Sequence, residues 1–323
     1  MPLNIRDSFF GGRTEPFKLH HLCEDDEKIK YYDITSLYPY VQSYKKFPVG
    51  HPQIILRDFK SIENYFGFVK LTIVPPRNLY IPVLPIKSNG KLLFALCQSC
   101  ANLKQQTKCM HSDQERSIDG TYCTEEVKEA IRQGYKIIKI YEVWHWEESS
   151  DKLFKEYIST FLKGKQEASG YPEHVKTAED ETNYIYEYFK KEGITLDKEK
   201  IRYNPGMKAV FKLLLNSFWG KYGHKDNKLM YKIISDTAEW ISLISNDAYI
   251  VQRVDYSNAK HLQVYYKNKI EINECETKTN VALASFVTAY GRLKLLSELT
   301  KLDKRLIYCD TVKLLIFTRI YYT

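Results

Sequence analysis

The pattern of apolar and polar positions is clearest over 204–220, where it predicts an amphipathic helix. Asn204 can cap its start, and Pro205 suits the first helical position. Apolar side chains recur at three- and four-residue spacing, which is the spacing of one helix face. They are Met207, Val210, Phe211, Leu214 and Phe218. We therefore expect a helix that begins after Asn204 and buries this apolar face.

Shorter patterns elsewhere predict both strands and helices. Alternating or continuous apolar runs predict strands over 28–34, 66–74, 134–141, 228–234, 249–254, 261–272 and 305–310. Helical spacing predicts helices over 151–164, 179–191 and 280–302, the last largely buried. Gly164 and Gly193 are expected to end the first two helices. Residues 1–30 are predicted to be an irregular lead-in, and residues 47–146 a series of short strands.

Composition narrows the class of protein only modestly. With 323 residues, of which 44% are hydrophobic, the chain can form one large or two ordinary domains. Its net charge of +8 and its 26 Tyr, 15 Phe and 4 Trp suit a nucleic-acid surface, although the charge excess is small. No apolar run approaches the roughly 18–20 residues of a membrane span, and the first residues lack the apolar core of a signal peptide. We expect an intracellular protein, nuclear or cytoplasmic, with no membrane partner.

Two lysines and an asparagine follow one stripe of the predicted helix, four residues apart. Lys208 and Lys212 repel each other by roughly 0.2–0.5 kcal/mol at this spacing, unless an anion lies over them. A triphosphate is one such anion, and a solvated helix face is the alternative. Asn216 continues the stripe. Lys163 and Lys165, in contrast, are expected to be solvated.

Four metal-binding side chains fall within fifteen residues, in the pattern Cys97-x2-Cys100-x8-Cys109-x-His111. They could close a tetrahedral zinc site, with Cys123 as a substitute ligand. A reduced cysteine cluster with a structural role is the alternative. The odd total of 7 cysteines also argues for free thiols or metal ligands rather than a disulfide framework.

Three motifs resemble those of family B DNA polymerases, and they occur in that family's order. Residues 212–220 resemble the fingers motif K-x3-N-S-x-Y-G, with Trp219 in the tyrosine position. Residues 33–39 match the palm motif D-x2-S-L-Y-P, and residues 308–311 open the Y-x-D-T-D motif. Residues 9–12 resemble the aromatic-x-Gly-Gly linker of the protein-primed branch. The chain is similar to the form of that branch carried by Maverick/Polinton elements.

The resemblance implies an α+β fold, with an antiparallel palm sheet, helical fingers and two inserted β-rich elements. It implies a lead-in linker (1–30), a palm strand with the first motif (31–46), an insertion with the zinc knuckle (47–148), helical fingers (149–222), a second insertion (223–275), and a palm helix with the last motif (276–323). The exonuclease and thumb modules of the family are expected to be absent, and the chain is expected to be an incomplete copy.

The resemblance also implies template-directed DNA synthesis with roles for particular residues. Asp33 and Asp310 would hold two Mg²⁺ ions. The backbone around Ser36 and Leu37 would hold the triphosphate, and the Tyr38 ring would exclude a ribose 2′-hydroxyl. Lys208 and Lys212 would neutralise the triphosphate, while Asn216 and Trp219 would line the nascent base pair. The implied partners are primer–template DNA, deoxynucleoside triphosphates and a terminal priming protein.

One position departs from the family pattern. Val312 stands where the second aspartate of Y-x-D-T-D is expected, and Lys313 adds a positive charge beside it. Because valine has no oxygen ligand for Mg²⁺, we expect the chain to add no nucleotide with Mg²⁺. We also expect weak binding of primer–template DNA, because the thumb is expected to be absent. Two other functions stay open, namely a catalytically inactive nucleic-acid- or partner-binding remnant and a zinc-dependent nucleic-acid-binding module.

Overall fold

The computed structural model describes residues 2–224, 228–256, 260–269 and 279–319. It forms two compact units, one of residues 1–220 with 281–323 and the other of residues 221–280. The range predicted for a second insertion, 223–275, lies within the second unit. Residues 270–272 of a predicted strand lie outside the described residues.

In chain order the strands are β1 (Thr14–Pro16), β2 (Glu27–Asp33), β3 (Phe47–Pro48), β4 (Gln53–Ile55), β5 (Gly67–Val74), β6 (Ile86–Ser88), β7 (Lys91–Leu93), β8 (Ile118–Cys123), β9 (Lys136–His145), β10 (Ser149–Ser150), β11 (Met230–Ile234), β12 (Tyr249–Asp255), β13 (Leu262–Asn268), β14 (Leu306–Asp310) and β15 (Lys313–Arg319). The helices are α1 (Leu37–Tyr44), α2 (Gln98–Leu103), α3 (Asp113–Arg116), α4 (Thr124–Arg132), α5 (Lys155–Glu167), α6 (Ala178–Glu192), α7 (Pro205–Tyr222), α8 (Thr237–Ile244) and α9 (Val281–Leu302). The mixture of helices with antiparallel sheets confirms the predicted α+β class.

A four-stranded antiparallel sheet in the order β1-β14-β15-β2 carries the predicted palm motifs. Strand β1 lies within the segment predicted to be irregular, so that prediction was wrong for these residues. Thr14 pairs with Asp310, and the Thr311 amide donates to the Arg13 carbonyl at 2.7 Å. The three residues of β1 are too few to predict a strand from their pattern. The strand that pairs with β1 lies almost 300 positions away along the chain.

The long helix α9 is buried along most of its length, as its pattern predicted. A buried ion pair fixes it to α4, because Arg292 donates to both carboxylate oxygens of Glu126, at 2.7 and 2.8 Å. The same guanidinium donates to the carbonyls of Phe10 and Gly11, at 2.7 and 2.9 Å. These hydrogen bonds compensate for the free-energy cost of removing the charged Arg292 guanidinium from water. They join α4 and the segment around Phe10 to the central helix α9.

The segment predicted to be the first insertion, 47–148, contains a second antiparallel sheet, in the order β4-β9-β5-β8. Its strands β5 and β9 confirm the predicted strands over 66–74 and 134–141. Helix α4, however, replaces part of the predicted series of short strands. Its buried residues Thr124, Val127 and Ala130 recur at helical spacing, but they are too few to form an apolar stripe that the sequence alone reveals.

Helix α5 passes through Gly164 and ends at Glu167, so the predicted stop was wrong. A Cβ at position 164 would lie 2.6 Å from Cζ of Phe211, which belongs to α7. Close packing between the two helices, rather than helix termination, therefore favours glycine at this position. Helix α6 does end at Gly193, whose φ of 68° is the left-handed conformation that favours glycine.

Helix α7 forms where predicted, but its apolar face is not buried. Only Leu215 is buried among its described residues, and Met207 and Val210 are 44% and 48% exposed. Contact with α5 is confined to one stripe, in which the Tyr157 and Phe218 rings stack with centroids 3.8 Å apart. The periodicity thus indicated the helix correctly and overestimated its burial.

The second unit consists of a three-stranded antiparallel sheet, β11-β13-β12, and helix α8. Its small core contains Ile234, Leu243 and Val264. Helix α8 was not predicted, whereas the three strands were. Throughout the described residues, no helix combines the length and apolarity that a membrane crossing requires.

Candidate active site

Strand β2 ends at Asp33, and the chain then turns sharply into α1. Ser36 makes this turn with φ 56° and ψ 41°, in the left-handed region that non-glycine residues rarely adopt. The sheet therefore fixes the direction of Asp33, and the turn exposes the backbone that precedes α1. Uncommon backbone conformations of this kind concentrate at ligand-binding sites.

A cavity of about 460 Å³ opens beside this turn. It is lined by Asp33, Ile34, Thr35, Ser36, Leu37, Tyr38, Lys165, Lys208, Lys212, Asn216, Trp219, Thr311 and Val312. The lining includes every side chain that the motifs implied for nucleotide binding, together with Asp33. Asp310 is not among the described residues of this lining. Segments separated by more than a hundred residues thus meet around one space.

Lys165 is a site residue that the sequence analysis missed. It was expected to be solvated, but it is half-buried at the cavity wall. Burial and the neighbouring Lys212 and Lys208 lower the pKa of its ammonium group. The only signal in the sequence was the adjacent Gly164, which permits the contact between α5 and α7. Three ammonium groups facing one cavity favour an anionic ligand.

Two aromatic rings form another wall of the cavity. The Tyr38 and Trp219 rings have centroids 4.5 Å apart and an interplanar angle of 43°. Tyr38 also packs on Gly291 of α9, where an added Cβ would lie 2.9 Å from its Cε1. Burial raises the pKa of Tyr38, so the phenol is neutral at physiological pH. Its ring is held between α7 and α9.

Asp33 and Asp310 are not adjacent in the sheet. Lys313 of β15 pairs with Asp33 of β2 on one side and with Asp310 of β14 on the other. Residues directly opposite each other on neighbouring strands project to the same face. With strands about 4.7–4.9 Å apart, the two aspartates are separated by roughly 10 Å at the backbone. The Lys313 side chain therefore projects between them on the same face.

The surroundings of Asp310 and Val312 do not fit a pair of Mg²⁺ ions. Oδ1 of Asp310 accepts hydrogen bonds from the Thr14 and Thr311 hydroxyls, at 3.0 and 3.2 Å. Val312 lies at the cavity beside Asp33, since its carbonyl accepts a hydrogen bond from the Ile34 amide at 2.7 Å. Mg²⁺ requires oxygen ligands, and valine supplies none. The donor set therefore lacks the second carboxylate at the cavity.

The predicted zinc ligands converge. The Sγ atoms of Cys97, Cys100 and Cys109 lie 3.5, 3.3 and 3.6 Å from Nδ1 of His111. All four ligand atoms lie within 4.8 Å of one another. Tetrahedral zinc, with Zn–S of about 2.3 Å and Zn–N of about 2.0–2.1 Å, requires S···N separations of about 3.5 Å. The geometry therefore fits Zn²⁺. Cys123, the suggested substitute, lies outside this group and is buried at the start of α4.

Two arginines hold the loop that carries these ligands. Arg116, which is 3% exposed, donates to the Pro75 carbonyl at 2.8 Å and to the Leu96 carbonyl at 3.2 Å. Arg77 donates to the His111 carbonyl at 3.0 Å. The ligand loop is therefore anchored on the first insertion by hydrogen bonds that do not depend on a metal.

The fold is similar to that of solved structures of phi29 DNA polymerase. Phi29 DNA polymerase in complex with primer-template DNA and incoming nucleotide substrates matches 97% of this chain with a TM-score of 0.57 and 17% identity. The same enzyme with primer-template DNA alone gives a TM-score of 0.56 and 15% identity. In both comparisons the match covers 42% of the phi29 chain. The fold class is therefore that of the phi29 DNA polymerase.

Relatives and a family model identify the family. The chain is 25% identical over 320 residues to a probable DNA polymerase of Neurospora intermedia, and 23% identical over 315 residues to one of Ascobolus immersus. Each match covers 95% of this chain, and they cover 26% and 20% of those relatives. Residues 1–178 match the family of type B DNA polymerases of organelles and viruses. The chain belongs to this family, and its resemblance to protein-primed family B DNA polymerases is confirmed.

Proposed function

We propose that this chain forms the nucleotide- and template-binding core of a template-directed DNA polymerase. In that reaction a deoxynucleotide is transferred to a primer 3′-hydroxyl or to a hydroxyl of a priming protein. One observation carries the proposal: the cavity gathers the residues of three separate polymerase motifs with a neutral aromatic wall and three lysines. A plain solvated helix face would not account for that convergence.

In this proposal, different residues of the cavity contact different parts of the nucleotide. The triphosphate lies against Lys165, Lys208 and Lys212, and the backbone of the Ser36 turn supplies further donors. The base and sugar lie toward Trp219 and Tyr38. Because the Tyr38 ring is held against Gly291, it cannot withdraw easily, and it would collide with a ribose 2′-hydroxyl.

Primer–template DNA is proposed to lie over the face of the palm sheet that carries Asp33 and Asp310. Tyr31 and Tyr308 project from this face and are 60% and 36% exposed. Both pair with Leu315, so they belong to one row across the sheet. Exposed aromatic side chains on such a surface can contact bases and sugars. The phi29 DNA polymerase structures contain the same partners, primer-template DNA and, in one of them, incoming nucleotides.

We infer that Cys97, Cys100, Cys109 and His111 bind one structural Zn²⁺. The support is the tetrahedral spacing of the four ligand atoms. The ion would join α2 to the loop before α3 and so stabilise the first insertion. No catalytic role is proposed for it, because this cluster shares no residue with the lining of the nucleotide cavity.

Replacing Lys212 by alanine should weaken deoxynucleotide binding by about tenfold or more, because a charge-assisted contact to phosphate is lost. Lys163→Ala is the matched control, since Lys163 lies outside the cavity lining and is 3.8 Å from Glu167. Titration of each variant with a fluorescent dATP derivative gives the Kd values. The control should change Kd by less than about twofold. An equal loss of affinity in the two variants would mean that these lysines act only through the overall electrostatic field of the protein.

A further inference from the structure

The charges around the nucleotide cavity are unusual for a site that relies on divalent cations. Asp33 is the only acidic residue among the described residues of the lining, against Lys165, Lys208 and Lys212. A metal-dependent phosphate site normally places several oxygen ligands at the ion. Here the cationic side chains outnumber the carboxylate.

The register of the palm sheet adds a fourth cation near this place. Lys313 pairs with Asp33 and with Asp310 and projects to their face. A divalent ion held between these carboxylates would lie close to the Lys313 ammonium group. The like charges of such an ion and of the Lys313 ammonium group would repel each other. Lys313 therefore opposes metal binding at the position where the family pattern calls for it.

Val312 and Asp310 provide few ligands that would offset this repulsion of a metal ion. Val312 presents an apolar side chain at the cavity beside Asp33. Asp310 is absent from the cavity lining, and one of its carboxylate oxygens is engaged by two threonine hydroxyls. The described lining thus offers one carboxylate to a cation and three ammonium groups to phosphates.

We propose that this chain binds nucleoside triphosphates independently of divalent cations, with Lys165, Lys208 and Lys212 neutralising the phosphates and Lys313 excluding the metal from between the palm aspartates. This inference rests on the proposed nucleotide site. It goes beyond it by assigning the neutralising charge to the protein rather than to Mg²⁺. It also assigns a function to Lys313, which is electrostatic exclusion.

The test compares the Kd of a fluorescent dATP derivative in excess Mg²⁺ with its Kd in excess EDTA, using the full 323-residue chain. For the unmodified chain the two values should agree within about threefold, because the lysines supply the charge in both buffers. In the double variant Val312→Asp/Lys313→Ser, EDTA should weaken binding by about tenfold or more, because a carboxylate then faces the phosphates without its cation.

Two further variants make the comparison specific. Lys313→Ser alone should already increase the dependence on Mg²⁺, and it keeps the experiment decisive if the double variant does not fold. Lys28→Ser is the control, because Lys28 is exposed on the opposite face of the same sheet. This substitution should leave the ratio of the Kd in EDTA to the Kd in Mg²⁺ unchanged.

The outcomes separate this inference from the proposed function. Binding by the unmodified chain that is lost or weakened tenfold in EDTA would overturn the metal independence and leave the nucleotide site in place. If both Lys313 variants have the same ratio of the Kd in EDTA to the Kd in Mg²⁺ as the unmodified chain, Lys313 does not exclude the metal. Absence of nucleotide binding in either buffer would overturn the proposed site and the inference together.

Discussion

Replacing Val312 by aspartate is expected to raise Mg²⁺-dependent deoxynucleotide addition by this chain by on the order of 10²–10³, from a level at or below detection. The family motif places a carboxylate at this position, and the structure brings Val312 to the cavity beside Asp33. A carboxylate there would provide the oxygen ligand that valine lacks. Adding Lys313→Ser should raise the rate further, because it removes a positive charge between the palm aspartates.

The measurement is single-nucleotide extension of a labelled primer annealed to a template, with the unmodified chain and the variants at equal concentration. Asp33→Ala in the Val312→Asp background should abolish the gained activity, which ties it to this site rather than to a contaminating polymerase. Template-dependent extension by the unmodified chain, abolished by Asp33→Ala, would contradict the prediction. It would mean that Asp33 and Asp310 together provide sufficient metal ligation.

Removal of zinc is expected to lower the free energy of unfolding by several kcal/mol, since the energy of binding a structural zinc ion contributes directly to folding. Metal analysis of the purified chain should find one zinc per molecule, and a strong chelator should lower the Tm. Cys109→Ser should have a similar effect on stability. Cys109 is only half-buried, so its substitution costs little packing energy by itself.

Two comparisons keep this result interpretable. Cys97→Ser removes a buried thiol and a ligand at once, so its loss of stability should exceed that of Cys109→Ser. Cys23→Ser alters a half-buried cysteine outside the cluster and should leave both the zinc content and the Tm unchanged. The prediction is contradicted if the purified chain contains no zinc and Cys109→Ser does not change its stability. The cluster would then consist of reduced cysteines with a structural role only.

The local pattern of the sequence determined the elements that carry the site. The alternation before Asp33 predicted the strand that ends there, and the apolar content of 280–302 predicted the buried helix α9. The polymerase motifs also predicted which side chains belong to nucleotide binding, and the cavity contains all of them. Such features depend on residues within one turn or one strand, so they are visible in a linear pattern.

Tertiary structure alone decided how these elements meet. Lys165 joins the site because α5 packs beside α7, where Gly164 lies close to the Phe211 ring. Likewise, β1 is a strand only because it pairs with β14, and the apolar face of α7 stays largely exposed because α5 covers a single stripe of it.

The position of Lys313 between Asp33 and Asp310 follows from the register of three strands. Register, packing distance and burial depend on residues far apart in the chain, and a one-residue shift in pairing would turn each side chain to the other face. The sequence by itself therefore determined which groups are available for chemistry, while the tertiary structure decided which of them act at the same point.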